Sequence, residues 1–187
     1  TRFGGVVKAA VPALAGRSFL SLKLGGIRMA AEQLEARVPA FVMTSFATDA
    51  EIRRMLPELD CSAVPSSAFA QFISLRLKPD GELFHDGKAL SPYAPGHGDL
   101  TFALRRSGVL EKFLSEGGRV LYMSNVDNLA ATLDPAVIGA HLASGKAVTA
   151  EVVSKDPGDA GGAPARVEGV VQIVESFRFP EGFDEAS

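Results

Sequence analysis

The chain has 187 residues, 47% of them apolar, with 22 acidic against 19 basic side chains and a net charge of −3. It can bury the core of one domain, lacks the basic field of a nucleic-acid binder, and has no apolar run approaching the roughly 20 residues that cross a bilayer. The single cysteine, Cys61, excludes an intrachain disulfide and a cysteine metal cluster; with no basic segment leading into an apolar core and a cleavage site, the expected compartment is the cytoplasm.

In chain order, residues 18–36 carry apolar side chains at Phe19, Leu22, Ile27, Ala30, Ala31 and Leu34, a helical stripe interrupted by Gly25-Gly26. Residues 39–45 form a short apolar run, a buried strand by length and flanks. Thr48 or Asp49 caps a helix that is expected to run through Leu56 and to stop at Pro57. Residues 68–77 read as a strand, followed by a small surface hairpin with turn signals at Asp80-Gly81 and Asp86-Gly87. Two helical pieces follow, residues 98–108 and 109–116, and Gly117-Gly118 introduces a strand ending at Ser124. Asp134-Pro135 opens a helix running to Ala143. A strand is expected at residues 147–153, a flexible loop at 157–164, and a strand with an antiparallel neighbour at 169–175. Strands spaced by helices predict βαβ units, hence an α/β fold with a Rossmann-like, doubly wound, mostly parallel sheet.

Several short stretches can carry chemistry, and each has a plainer reading beside it. Asn125-Val126-Asp127-Asn128 follows an apolar run. It is either a turn in which Asn and Asp bond their own backbone or the polar carboxyl edge of an open sheet, where ligands collect. In the second case Asp127 can hold Mg²⁺ against phosphate oxygens, with Asn125 on sugar or phosphate oxygens. Pro95-Gly96-His97-Gly98-Asp99 is either a glycine-rich turn capping a helix from Asp99 or a surface on which a flat base approaches the Gly96 backbone. Gln71 is either a half-exposed strand residue or an amide donor and acceptor for a base edge. Arg2 and Lys8 are solvated charges unless they flank a loop that holds phosphates. Gly161-Gly162 and Glu168 read as a mobile loop and an exposed turn glutamate.

Taken together, Gly96-His97-Gly98, the Asn125–Asn128 stretch and the opening Thr1-Arg2-Phe3-Gly4-Gly5-Val6-Val7-Lys8 resemble the UTP–glucose-1-phosphate uridylyltransferases of the UDP-sugar pyrophosphorylase family. That family's nucleotide loop runs Gly-Gly-x-Gly or Gly-Gly-x-Ala, then Thr-Arg, and ends at a lysine; this chain departs from the Gly-Pro-Lys ending of many relatives. The resemblance implies uridylyl transfer from UTP to glucose 1-phosphate with Mg²⁺ as cofactor. It assigns Thr1 to the nucleotide loop and the catalytic cations to Arg2 and Lys8. Gln71 and Gly96 would read uracil, His97 and Asn125 would contact the sugar phosphate, and Asp127 would be the metal and nucleotide aspartate. Gly161-Gly162 and Glu168 sit where relatives bind hexose hydroxyls. Residues 1–187 are then expected to be part of a nucleotidyltransferase catalytic domain, beginning inside the nucleotide loop and lacking its C-terminal part, and not to turn over alone. N-acetylhexosamine relatives usually carry Asn-Gly or Gly-Asn-Gly where this chain has Gly-His-Gly, which favours glucose. UDP-N-acetylglucosamine or broad UDP-sugar synthesis, and a non-catalytic domain of the same fold, are the alternatives.

Overall fold

A computed structural model describes residues 5–154, 156 and 161–180. The chain divides into two compact units, residues 1–140 and 141–187, with the division inside one helix. The architecture is mixed α/β.

The first unit opens with a 3-10 turn, Lys8–Ala10, and a short antiparallel pair, β1 (Pro12–Leu14) and β2 (Arg17–Ser18). Helix α1 (Phe19–Gln33) begins there because Ser18 Oγ accepts the Ser21 N–H at 3.2 Å, satisfying one of the donors a helix start leaves over. The helix runs through Gly25-Gly26. Gly25 makes room for Arg17, whose guanidinium would lie 2.7 Å from an added Cβ and donates to the Ser21 carbonyl.

Next come β3 (Ala40–Thr44), α2 (Asp49–Leu59) and β4 (Ser66–Ala70). β3 and β4 pair in parallel, in register from Ala40↔Ser66 to Thr44↔Ala70. Side chains alternate between the two faces of a strand, and here both faces are covered. Ala40, Val42 and Ala68 join Leu20, Leu24 and Ala31 of α1 and Ile52 and Leu56 of α2. Phe41, Met43 and Phe69 join Ala103 and Leu104 on the opposite side, where Phe113 meets Phe41 edge to face at 5.8 Å. Helices on both faces of a parallel pair make three layers.

Helix α2 does not stop at Pro57 but continues to Leu59. Proline removes one backbone donor, yet it sits on the exposed side of the last turn, and Leu56 and Leu59 pack into the core. The strand expected at residues 68–77 is also two pieces: β4 ends at Ala70, and β5 (Ser74–Leu75) pairs with β8 (Pro92–Tyr93) across a small hairpin of β6 (His85–Asp86) and β7 (Ala89–Leu90). A 3-10 turn at His97–Asp99 leads into α3 (Leu100–Arg106) and α4 (Val109–Ser115).

Residues 119–124, expected as a strand, form none. Leu121 and Met123 are 48% and 62% exposed, so no neighbouring strand uses their apolarity. Asp134 then caps α5 (Pro135–Ser144), its Oδ1 accepting the Ala136 N–H at 2.8 Å. Among the described residues every ladder is two-stranded, and only β3 with β4 is parallel.

In the second unit, residues 147–153 form no strand. β9 (Ala163–Val167) and β10 (Val170–Val174) form an antiparallel hairpin, the expected neighbour for residues 169–175. Its two-residue turn, Glu168-Gly169, has φ of 50° and 83°, the left-handed pair that suits a tight hairpin. Half of the flexible loop expected at 157–164, residues 157–160, lies outside the described residues, and its last two residues belong to β9.

Candidate active site

The carboxyl ends of β3 and β4 are tied together by polar contacts. Buried Thr44 donates its hydroxyl to Asp49 Oδ1 at 2.6 Å, with the Phe69 carbonyl at 3.2 Å. Its carbonyl accepts the Gln71 N–H at 2.9 Å. The Arg53 guanidinium, and then the Thr44 hydroxyl, hold the Asp49 carboxyl below the usual carboxylate range.

Past Ala70 the strand breaks because its polar groups turn to another loop. The Phe72 N–H donates to Asp99 Oδ2 at 2.6 Å, and Gln71 Oε1 accepts the Gly96 N–H at 2.7 Å. The glycine-rich turn is thus clasped to the end of β4 at two points. Asp99, read from sequence as a helix cap, makes no side-chain capping bond to α3; its carboxylate serves Phe72 instead. Arg106 lies 4.7 Å from the centre of the Phe72 ring, a cation over an aromatic face.

Gly96 has φ 91° and ψ −152°, a region essentially closed to residues with a Cβ. No atom lies within 4 Å of a Cβ built there, so the backbone conformation, not crowding, demands glycine. Its carbonyl accepts the Asp99 N–H at 3.1 Å. Both backbone groups of Gly96 are therefore engaged within the protein. His97 stands exposed at the first position of the 3-10 turn.

The second pair of predicted residues also meets. Lys8 Nζ lies 2.7 Å from Asp127 Oδ2, with side chains 32% and 37% exposed. Asp127 sits in a turn built by the backbone: the Asn128 N–H donates to the Asn125 carbonyl at 3.2 Å and the Leu129 N–H to the Asp127 carbonyl at 3.0 Å. Val126 packs into the core cluster under α1 and α2, anchoring the turn, and Asn125 is exposed. Asn128 does bond its own backbone, its Oδ1 accepting the Ala131 N–H at 3.2 Å. Thr1 and Arg2 lie outside the described residues.

Lys23 was missed by sequence reasoning. It reaches from α1 to the segment after Asp127, donating to the Asn128 carbonyl at 2.9 Å and to the Ala131 carbonyl. Burial pushes its pKa down. A lysine on a helix face carries no signal of a partner 105 residues away. In the second unit, Glu168 occupies the hairpin turn and Gly162 lies against the Val174 carbonyl, 2.6 Å from where a Cβ would stand.

Among the described residues no group of three or more His, Cys, Asp or Glu side chains could hold a metal ion, and no helix is long and apolar enough to cross a membrane. One carboxylate nevertheless suits Mg²⁺, which keeps several waters and takes one or two carboxylates beside substrate phosphates. Asp127, partly exposed, fits that donor set.

Comparison with known proteins defines the class. The family model for UTP–glucose-1-phosphate uridylyltransferase matches residues 1–185. The chain is 32% identical over 180 residues to UTP–glucose-1-phosphate uridylyltransferase 2 of Dictyostelium discoideum, covering 92% of this chain and 36% of that protein. It is 30% identical over 184 residues to the UTP–glucose-1-phosphate uridylyltransferase of Saccharomyces cerevisiae, covering 95% and 37%. Among solved structures it is similar to a UDP-glucose phosphorylase from Trypanosoma brucei, with a TM-score of 0.77 at 24% identity over 96% of this chain and 40% of that one. It is also similar to a putative UDP-N-acetylglucosamine pyrophosphorylase from Entamoeba histolytica, with a TM-score of 0.76 at 20% identity over 93% and 47%. These structural likenesses concern the fold. The chain belongs to the UTP–glucose-1-phosphate uridylyltransferase family, and it spans a little over a third of the length of these curated relatives.

Proposed function

We propose that this chain forms the nucleotide-binding part of a nucleotidyltransferase that transfers a uridylyl group from UTP to glucose 1-phosphate, giving UDP-glucose and pyrophosphate. The observation that carries this reading is the pairing of Lys8 with Asp127, 119 residues apart in sequence and 2.7 Å apart in space. A cation suited to phosphate and a carboxylate suited to a metal are thereby held at one place. Gln71 with Gly96 is a second such pair.

In the proposed reaction a phosphate oxygen of glucose 1-phosphate attacks the α-phosphorus of UTP in line. The new O–P bond forms as the bond to the β-phosphate oxygen breaks, and pyrophosphate leaves with that electron pair. Lys8 leaves Asp127 for the phosphates, and with Arg2 and the loop at Thr1 it neutralises charge on the α-phosphorus and the departing group. Asp127 would hold Mg²⁺, which when bound draws negative charge from the phosphate oxygens. His97 and Asn125 would hold the sugar phosphate; His97 donates a hydrogen bond and takes no proton, because the attacking phosphate is already ionised. Positioning and charge stabilisation supply most of the acceleration in such transfers.

The Gln71–Gly96 bond serves uracil in the same reading. The Gln71 amide oxygen accepts from the Gly96 N–H as a base carbonyl would, so uracil replaces one amide-like edge with another and leaves no buried polar group unmatched. The finer fold is proposed on similar ground. A parallel pair covered by helices on both faces is the unit of a Rossmann-like, doubly wound, mostly parallel sheet. Residues 1–187 would form part of one catalytic domain in a cytoplasmic enzyme.

The test is the Asp127→Ala variant of the full-length protein. It should keep its fold and lose Mg²⁺-dependent exchange of labelled pyrophosphate into UTP. Exchange near the wild-type rate would remove Asp127 from the mechanism.

A further inference from the structure

The Asp127 turn is held from beneath by a side chain that belongs to none of the motifs above. Lys23 lies in α1 between Leu20 and Leu24, which are 2% and 5% exposed, so its backbone is fixed by the core. Its ammonium reaches two main-chain carbonyls three residues apart, Asn128 and Ala131. Those residues are already folded towards each other, because the Ala131 N–H donates to Asn128 Oδ1. Between them, the Leu129 N–H donates to the carbonyl of Asp127 itself. The ammonium thus closes a carbonyl-lined bend that starts at the proposed metal carboxylate.

Two features distinguish this contact from an ordinary surface lysine. Among the described residues the ion pairs include no carboxylate for Lys23, so its donors are committed to main-chain oxygens. It is also partly desolvated, which lowers its pKa. A flexible four-carbon side chain loses much rotamer freedom when held this way, and what it gains is a fixed path for residues 128–131 relative to α1. Lys8 pairs with the Asp127 carboxylate while Lys23 holds the backbone behind it.

We propose that Lys23 is a positioning residue for Asp127, clamping the Asn128–Ala131 bend to α1 so that the carboxylate is already in place for Mg²⁺ and the nucleotide phosphates. This deepens the uridylyl-transfer reading and rests on it for the role of Asp127. Residues that orient a metal ligand without touching the metal are typically worth roughly 10–100-fold in metal affinity or activity.

The test compares full-length wild type and Lys23→Met by two measurements. Met keeps an unbranched stem against α1 and removes the donors. Hydrogen exchange is followed without metal or nucleotide, and the Mg²⁺ concentration giving half-maximal turnover is measured with UTP and glucose 1-phosphate. In Lys23→Met the Asn128, Leu129 and Ala131 amides should exchange faster while α1 and β3 keep their protection. The Mg²⁺ requirement should rise by roughly 10–100-fold, with the KM for glucose 1-phosphate little changed. Unchanged exchange in the bend overturns the clamp, and faster exchange with an unchanged Mg²⁺ requirement overturns the positioning role. Should Lys23→Met fail to fold, Lys23→Gln, which retains an amide donor, is judged by the same two measurements. Absence of uridylyl transfer by the wild type counts against the functional reading alone, because the exchange measurement uses no substrate.

Discussion

Gln71 shows what a sequence motif leaves out. Its residue type points to a pyrimidine edge, but its partner does not appear until the chain is folded and its amide oxygen takes the Gly96 N–H at 2.7 Å. Sequence singles out Gly96 for backbone approach, and its φ of 91° gives a second reason for glycine that no spacing could supply. Asp99 is legible as a capping residue and works instead as the acceptor for Phe72; a carboxylate three residues after a glycine fits either role on paper. Lys23 had no signal at all, since two carbonyl acceptors impose no residue type on the partner segment. At this scale the account makes a prediction about base choice. Gln71→Leu removes a polar partner of both Gly96 and the proposed base, and should lose about 1–3 kcal/mol of discrimination between UTP and other nucleotides. The effect should be larger on selectivity than on rate. A competition assay among UTP, CTP, TTP and ATP reads it, and unchanged selectivity would take Gln71 out of the base site.

Among the elements, those with a strong local pattern were legible. α1 and β3 fall within the expected segments and α5 runs one residue past its expected end, because an apolar stripe, a short apolar run and an Asp-Pro start are local signals. α2 overran its proline because core packing at Leu56 and Leu59 outweighs one missing donor. Residues 119–124 carry strand-like composition without a ladder, since apolarity cannot specify a neighbour. The start of α2 gives a pH prediction. Asp49 is held by Arg53 and Thr44, and its pKa is lowered from 3.8. A carboxylate with a lowered folded-state pKa stabilises the fold above its unfolded value, and that contribution disappears as pH falls through the lowered one. Asp49→Asn should therefore be less stable than wild type at neutral pH, and the gap should shrink as pH falls below 3.8. Denaturant unfolding at several pH values measures this; a gap that stays constant into strong acid would mean that the charge of Asp49 contributes nothing.

For the whole molecule, sequence composition and alternation were enough for a mixed α/β chain, and the motifs were enough for the family. What they could not give was which motifs converge. Lys8 meets Asp127 and Gln71 meets Gly96 within the first unit, each pair joining segments far apart in the chain. Those contacts depend on β3 and β4 lying side by side and on helices covering both faces, a tertiary arrangement that local periodicity does not encode. The central claim, that these pairs open to receive UTP and a sugar phosphate, is tested most directly by product analysis of the full-length protein. With UTP, glucose 1-phosphate and Mg²⁺, the account predicts UDP-glucose and pyrophosphate in equal amounts, with no product when Mg²⁺ is chelated. No UDP-glucose from folded protein, or equal product from any nucleoside triphosphate, would contradict it.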